Sequence, residues 1–127
     1  MGKFTKFARI AEVEFSDIVL SAHDLGHKLR IYLKDKSFID FFYTSKIKTT
    51  RFALHWERKH IDNTIYRLDN TPDKNWQKVK SFPLHFHNKT YNKVSPPPFK
   101  IKSPLKLTEI FRDFLIFVRA KISLKKA

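Results

Sequence analysis

Five side chains in the middle of this chain have the types and spacing to do acid–base or metal chemistry: His55, Arg67, Asp69, His85 and His87. Two histidines at i and i+2 on a strand point the same way, with Cβ atoms about 7 Å apart when fully extended. That separation suits two imidazoles acting on one phosphate, or two ligands of one metal. Cleaving RNA requires a base for the 2′-OH, an acid for the leaving oxygen, and a cation for the developing phosphorane charge. Imidazole titrates near pH ~6.5 and serves either proton role at neutral pH. In this reading His85 and His87 are the general acid and base, and Arg67 is the guanidinium on the phosphate. Asp69 orients a histidine or holds Arg67, and His55 is a third proton carrier. No cofactor is needed.

Two other readings use the same residues. In one, a metal sits on His85, His87 and a carboxylate such as Asp69, with open positions for water; an H-x-H pair by itself is a common pattern, and this reading is not favoured. In the other, the residues are structural. Arg67 and Asp69 pair with each other, Asp69-Asn70-Thr71-Pro72 is a turn whose side chains bond the backbone two residues on, and the histidines sit on a charged strand face. Trp56 and Trp76 read as packing residues, and His23, His27 and His60 as surface residues.

The elements that must position these groups follow from hydrophobic period. Phe4, Phe7, Ala11, Phe15, Ile18, Ala22 and Leu25 recur at spacings of three and four, which predicts one N-terminal helix over residues 1–28, stopped at Gly26. Strands are expected at Leu29–Leu33, Phe38–Tyr43, Thr50–Glu57, Ile65–Asp69 and Ser81–His87. In the third, Phe52, Leu54 and Trp56 share one face against Arg51, Ala53, His55 and Glu57 on the other. Pro83 makes the last of these an edge or irregular strand. Residues 96–104 open with Pro96-Pro97-Pro98, a stiff polyproline spacer. Leu107, Ile110, Phe111, Phe114, Leu115, Val118 and Ile122 mark a helix over residues 105–122, with Ser103-Pro104 or Thr108 capping its start. The expected fold is α+β: a helix, a four- to five-stranded mostly antiparallel sheet over residues 29–95, and a closing helix, in one compact domain of residues 1–127.

Charge narrows the partner. The 26 Lys and Arg outnumber the 12 Asp and Glu for a net charge of +14, and residues 1–28 balance to zero. All of the excess therefore lies from Leu29 onward, interleaved with Phe and Tyr, which favours nucleic acid over an acidic protein or an anionic membrane surface as the partner. The basic surface runs from Lys46 to Arg58 and from Lys74 to Lys102. Within and beside it, Arg51, Arg58, Tyr66, Asn70, Lys78, Lys80 and Lys89 are the expected substrate-binding residues. The chain has no cysteine, which removes disulfides and thiolate zinc sites. No apolar run approaches the ~18 residues of a membrane span, and Met1–Arg9 leads into no signal-like segment. A cytoplasmic protein without a membrane partner is expected.

The segments Arg67-Leu-Asp69-Asn70-Thr-Pro72 and Phe82-Pro83-Leu-His85-Phe-His87 together resemble a known family. Toxins of the TumE family, from type II toxin–antitoxin modules, carry R-x-D-N-x-P, a short polar stretch, then F-P-x-H-x-H. The lead-ins Ala53-Leu-His55-Trp56 and Ile65-Tyr66 and the closing apolar helix also look similar, so the likeness spans roughly Leu29 to Ile122. Members often have histidine directly after the first proline, where this chain has Asp73 and Lys74, and H-H-K-H in the second half, where it has Leu84-His85-Phe86-His87. The thinner histidine set weakens the metal reading. The resemblance implies an intracellular toxin neutralised by a cognate antitoxin, an RNA target and translation arrest. The helix-then-sheet order is compatible with the architecture of RelE-like ribonucleases, and the alternative to a ribonuclease is a non-enzymatic basic module that binds nucleic acid or the antitoxin.

Overall fold

The computed structural model describes residues 2–46, 49–103 and 106–126. It is an open seven-stranded antiparallel sheet in meander order, β1-β2-β3-β4-β5-β6-β7, with helices against one face. The strands are β1 (Val19–Asp24), β2 (Leu29–Leu33), β3 (Phe38–Lys46), β4 (Thr49–Arg58), β5 (Thr64–Asp69), β6 (His85–Lys89) and β7 (Val94–Ser95). The chain opens with α1 (Thr5–Arg9), which runs into a π-helical turn at Ile10–Glu14. A single turn, α2 (Lys59–Asp62), links β4 to β5, and α3 (Leu107–Lys126) closes the chain.

The α+β class and the antiparallel sheet are as expected, but the sheet has seven strands rather than four or five. The first added strand replaces the second half of the anticipated N-terminal helix. Phe4, Phe7, Ala11, Phe15 and Ile18 do pack into the core. The chain then turns and enters β1, which pairs with β2. A β-bulge between Val19 and Ser21 shifts the register by one. Val19 and Ala22 therefore lie opposite Leu33 and Ile31 at a spacing of three, and a bulged strand imitates helical period. Gly26, read as a helix stop, instead turns this hairpin with φ +92, its N–H donating to Asp24 Oδ1 at 2.8 Å. The second addition, β7, has two residues before the prolines, too short to show a period.

Ser81–Leu84 is not strand, although the sequence alternates there. Pro83 cannot donate to a ladder, and the segment closes in a turn, with Leu84 N–H bonded to Ser81 O at 2.9 Å. Strand geometry begins at His85. At the closing helix, Thr108 lies in the first turn rather than at the cap, while Pro104 and Leu105 lie outside the described residues.

One face of the sheet carries Leu29, Ile31, Ile39, Phe41, Leu54, Trp56, Tyr66, Leu68 and Phe86, all fully buried. Phe111 of α3 meets Phe41 at 5.0 Å between centroids, and Phe117 meets Phe86 at 5.4 Å. These edge-on contacts add to the area buried. Because side chains alternate across a pleated strand, filling this face with aromatics commits the alternate residues to the other face. No helix among the described residues is long and apolar enough to cross a membrane.

Candidate functional site

The face opposite the helices is polar, and pairing register lines its residues up. Arg30, Asp40, His55, Arg67 and His87 stand directly opposite one another across β2 to β6. The next row holds Phe42, Ala53, Asp69 and His85. All five residues expected to do the chemistry thus share two adjacent rows, where direct neighbours have Cβ atoms roughly 5 Å apart.

Asp69 is the junction. Its Oδ2 accepts from Arg67 Nε at 2.9 Å, and its Oδ1 lies 3.0 Å from the Thr71 N–H and 3.1 Å from His85 Nε2. The Asx turn and the Arg–Asp pair anticipated by the structural reading are therefore both present, on the same carboxylate that holds His85. The Nδ1 of His85 faces the Pro83 carbonyl at 2.9 Å. Both partners of that ring accept hydrogen bonds, so the ion pair with Asp69 forms when the imidazole carries both protons.

His87 is arranged differently. Its Nδ1 donates to the Tyr91 carbonyl at 2.9 Å, which selects the tautomer with an unprotonated Nε2. Burial pushes this imidazole below the ordinary histidine range; the Tyr91 carbonyl opposes that, and the neighbouring His85 adds to it. The rings of His85 and His87 lie 5.0 Å apart and nearly perpendicular. Trp76 and Tyr91 close over His87 edge-on, at 5.9 and 5.7 Å. Only 2% of His85 and 6% of His87 is exposed, so the opening to these imidazoles is narrow.

His55 sits one step along the row. Its Nε2 pairs with Glu57 Oε1 at 3.0 Å, its Nδ1 is 3.5 Å from Arg67, and its ring stacks on Tyr91. Burial holds it neutral to lower pH than usual; Glu57 works against this and the Arg67 charge works with it. Beside these groups is an open cavity of about 330 Å³, with Arg30, Asp40, Phe42, His55, Arg67 and Tyr91 in its walls. Ala53, small and set between Phe42 and Asp69 in the register, leaves room for the Arg67 guanidinium, which reaches Asp69 and lies over the Phe42 ring at 5.6 Å.

The expected substrate-binding residues divide. Arg51, half-buried, is on the polar face, and Lys78, Lys80 and Lys89 are exposed without an ion-pair partner among the described residues. The side chain of Lys46 and residues 47 and 48 lie outside the described residues. Tyr66 is corrected: it is fully buried on the opposite face, stacked on Trp56 at 5.1 Å, because it shares the parity of Leu68. Arg58 is also corrected. It has the parity of Trp56, is 4% exposed, and binds Asp35 and Asp62. Asn70 spends its amide on the β4 backbone, accepting from Phe52 N–H at 2.9 Å and donating to Thr50 O at 2.8 Å.

Asp40, Glu57 and Tyr91 were absent from the expected set. Glu57 shares the parity of His55 and was legible in the alternation, whereas Asp40 lies in a β3 segment apolar on both faces and only the register sets it opposite His55. Tyr91 was not legible either, because the β6–β7 hairpin that brings it over the histidines has no sequence period. Asp69, His85 and His87 also form a potential metal-ligating group, each offering an atom within 4.8 Å of the others.

Comparison with known proteins agrees with the motif. No curated protein and no solved structure matches the chain. The family model for the toxin TumE matches residues 4–122, a span that takes in the bulged N-terminal hairpin as well as the two motif halves. The chain therefore belongs to the TumE toxin family.

Proposed function

We propose that this chain is the toxin of a toxin–antitoxin pair, that a cognate antitoxin binds and silences it, and that it acts by metal-independent cleavage of RNA. The observation that carries the reading is the asymmetry of the two imidazoles. His87 is anchored through Nδ1 with Nε2 left as an acceptor, while His85 is held between Asp69 and the Pro83 carbonyl as a donor. In the reaction, His87 Nε2 takes the 2′-OH proton, the 2′-oxygen attacks phosphorus, and the 5′-oxygen leaves with a proton from His85. A cyclic phosphate remains on the upstream fragment. Arg67 supplies the cation for the charge that develops on the phosphoryl oxygens, and Asp69 holds both Arg67 and His85. The same Arg67 already neutralises Asp69, which disfavours a requirement for a hard dication such as Mg²⁺ at this carboxylate.

Incubation of total RNA with the protein in EDTA tests this, comparing the parent with His85→Ala and His87→Asn. Cleavage by the parent and its loss by ~10²-fold or more in both variants supports the reading. Equal cleavage by parent and variants ends it.

The near-complete burial of both imidazoles favours a second reading, a non-enzymatic surface that docks on RNA through charge. Affinity would then fall steeply with salt while the histidine substitutions changed little. Binding that is insensitive to salt would remove that reading.

A further inference from the structure

We propose that Asp69, His85 and His87 form a binding site for one zinc-class transition-metal dication, and that the bound ion switches off the acid–base pair. The inhibitory half rests on the ribonuclease reading; the binding half does not.

The donors are already assembled. One carboxylate oxygen and two ring nitrogens lie within 4.8 Å of one another, on three buried residues. Tetrahedral zinc with N and O ligands at 2.0–2.2 Å separates its ligand atoms by about 3.4 Å. The 3.1 Å between His85 Nε2 and Asp69 Oδ1 is close to that spacing.

The surroundings fit as well. Each histidine turns its Nδ1 to a backbone carbonyl, Pro83 for His85 and Tyr91 for His87, both at 2.9 Å. A carbonyl on the far nitrogen is what orients a metal-binding imidazole and fixes which nitrogen is the ligand. The second carboxylate oxygen is steadied by Arg67 Nε at 2.9 Å. Two imidazoles and one carboxylate prefer zinc, nickel or copper to magnesium or calcium, which take all-oxygen sets. Three protein ligands leave a fourth position for water. The Arg67 charge beside Asp69 opposes a dication, so binding is reversible rather than structural.

Coordination consumes both Nε2 lone pairs and releases the His85 Nε2 proton to solvent. His87 can then accept no proton from a 2′-OH, and His85 has none to give.

The test is a titration of zinc chloride into the EDTA-treated and desalted protein, read by calorimetry and thermal unfolding, with RNA cleavage followed in parallel. The expected result is saturable one-to-one binding with a rise in Tm, and no such response to magnesium. Binding weakens at least tenfold in Asp69→Asn and in His87→Asn, each first shown to be folded by its metal-free Tm. It is unchanged in His23→Gln, on β1, and His60→Gln, on α2, both exposed and outside the three-ligand group. Cleavage by the parent falls in step with occupancy and returns on adding EDTA. Absence of one-to-one binding, or equal binding by Asp69→Asn, His87→Asn and the parent, overturns the site. Zinc binding that starts or accelerates cleavage overturns the inhibitory half and makes the protein a metal-dependent nuclease. Zinc binding to a protein that never cleaves RNA leaves the site standing and removes both the inhibition and the ribonuclease reading.

Discussion

Asp69 Oδ1 lies 3.1 Å from Nε2 of His85, across the β5–β6 register. The other oxygen of the same carboxylate holds Arg67, so one acidic side chain sets the position of both the candidate acid and the candidate phosphate cation. Arg67→Lys keeps the positive charge but loses the fork that spans Asp69 and His55. On the proposed mechanism cleavage falls roughly 10²-fold, with the urea midpoint nearly unchanged. Full activity in Arg67→Lys would show that a point charge suffices and that the fork is structural.

The two corrected residues separate stability from function. Arg58 is buried against Asp35 and Asp62 at the sheet's end. Burial raises the carboxyl of Asp35, but hydrogen bonds from Ser37 and Arg58 outweigh it and hold the group below its ordinary range. Arg58→Met leaves that carboxylate without its cation, and unfolding free energy should drop by about 3 kcal/mol, while RNA affinity per folded molecule stays level. A large loss of affinity with unchanged stability would return Arg58 to the RNA surface.

Tyr66 gives the opposite sign. Its hydroxyl is buried with no hydrogen-bond partner among the described residues, and burying an unpaired hydroxyl is costly. Tyr66→Phe should raise stability by up to about 1 kcal/mol and leave activity at the parent level, measured by urea unfolding and RNA cleavage. A drop in cleavage with retained stability would mean that the hydroxyl reaches the substrate after all.

Stability should also decline in mild acid through His55. Its pKa in the folded protein is lowered by burial, whereas in the unfolded chain it lies near 6.5. Above pH ~7 both states are neutral at this residue. As pH falls through ~6.5 the unfolded state takes the proton first, so stability is lost toward the folded pKa. The urea midpoint should fall between pH 7 and pH 5, and fall less in His55→Gln. A midpoint flat over that range in the parent would contradict the burial argument.

Lys78, Lys80 and Lys89 are exposed and set in or beside the segments that flank the polar face. Replacing all three with Ala should weaken RNA binding without altering the fold, and should reduce the slope of log affinity against log salt by about 2 for a single-stranded target. An unchanged slope would place the RNA path elsewhere on the +14 surface.

Period-two alternation from Arg51 to Glu57 and from Ile65 to Asp69 determined, from sequence alone, which residues share the polar face. A pleated strand with an aromatic core on one side sends each side chain to that face or the opposite one. The motif halves at Arg67 and His85 likewise marked the family. What the tertiary structure decided was everything set by pairing between strands. Register placed His55, Arg67 and His87 in one row, and the stretch whose Ile18, Ala22 and Leu25 spacing read as helix became a bulged strand, Val19–Asp24. The β6–β7 hairpin swung Tyr91 over His87. Register, bulges and hairpin closure depend on which backbone groups meet across the sheet, and no local spacing of side chains encodes that meeting.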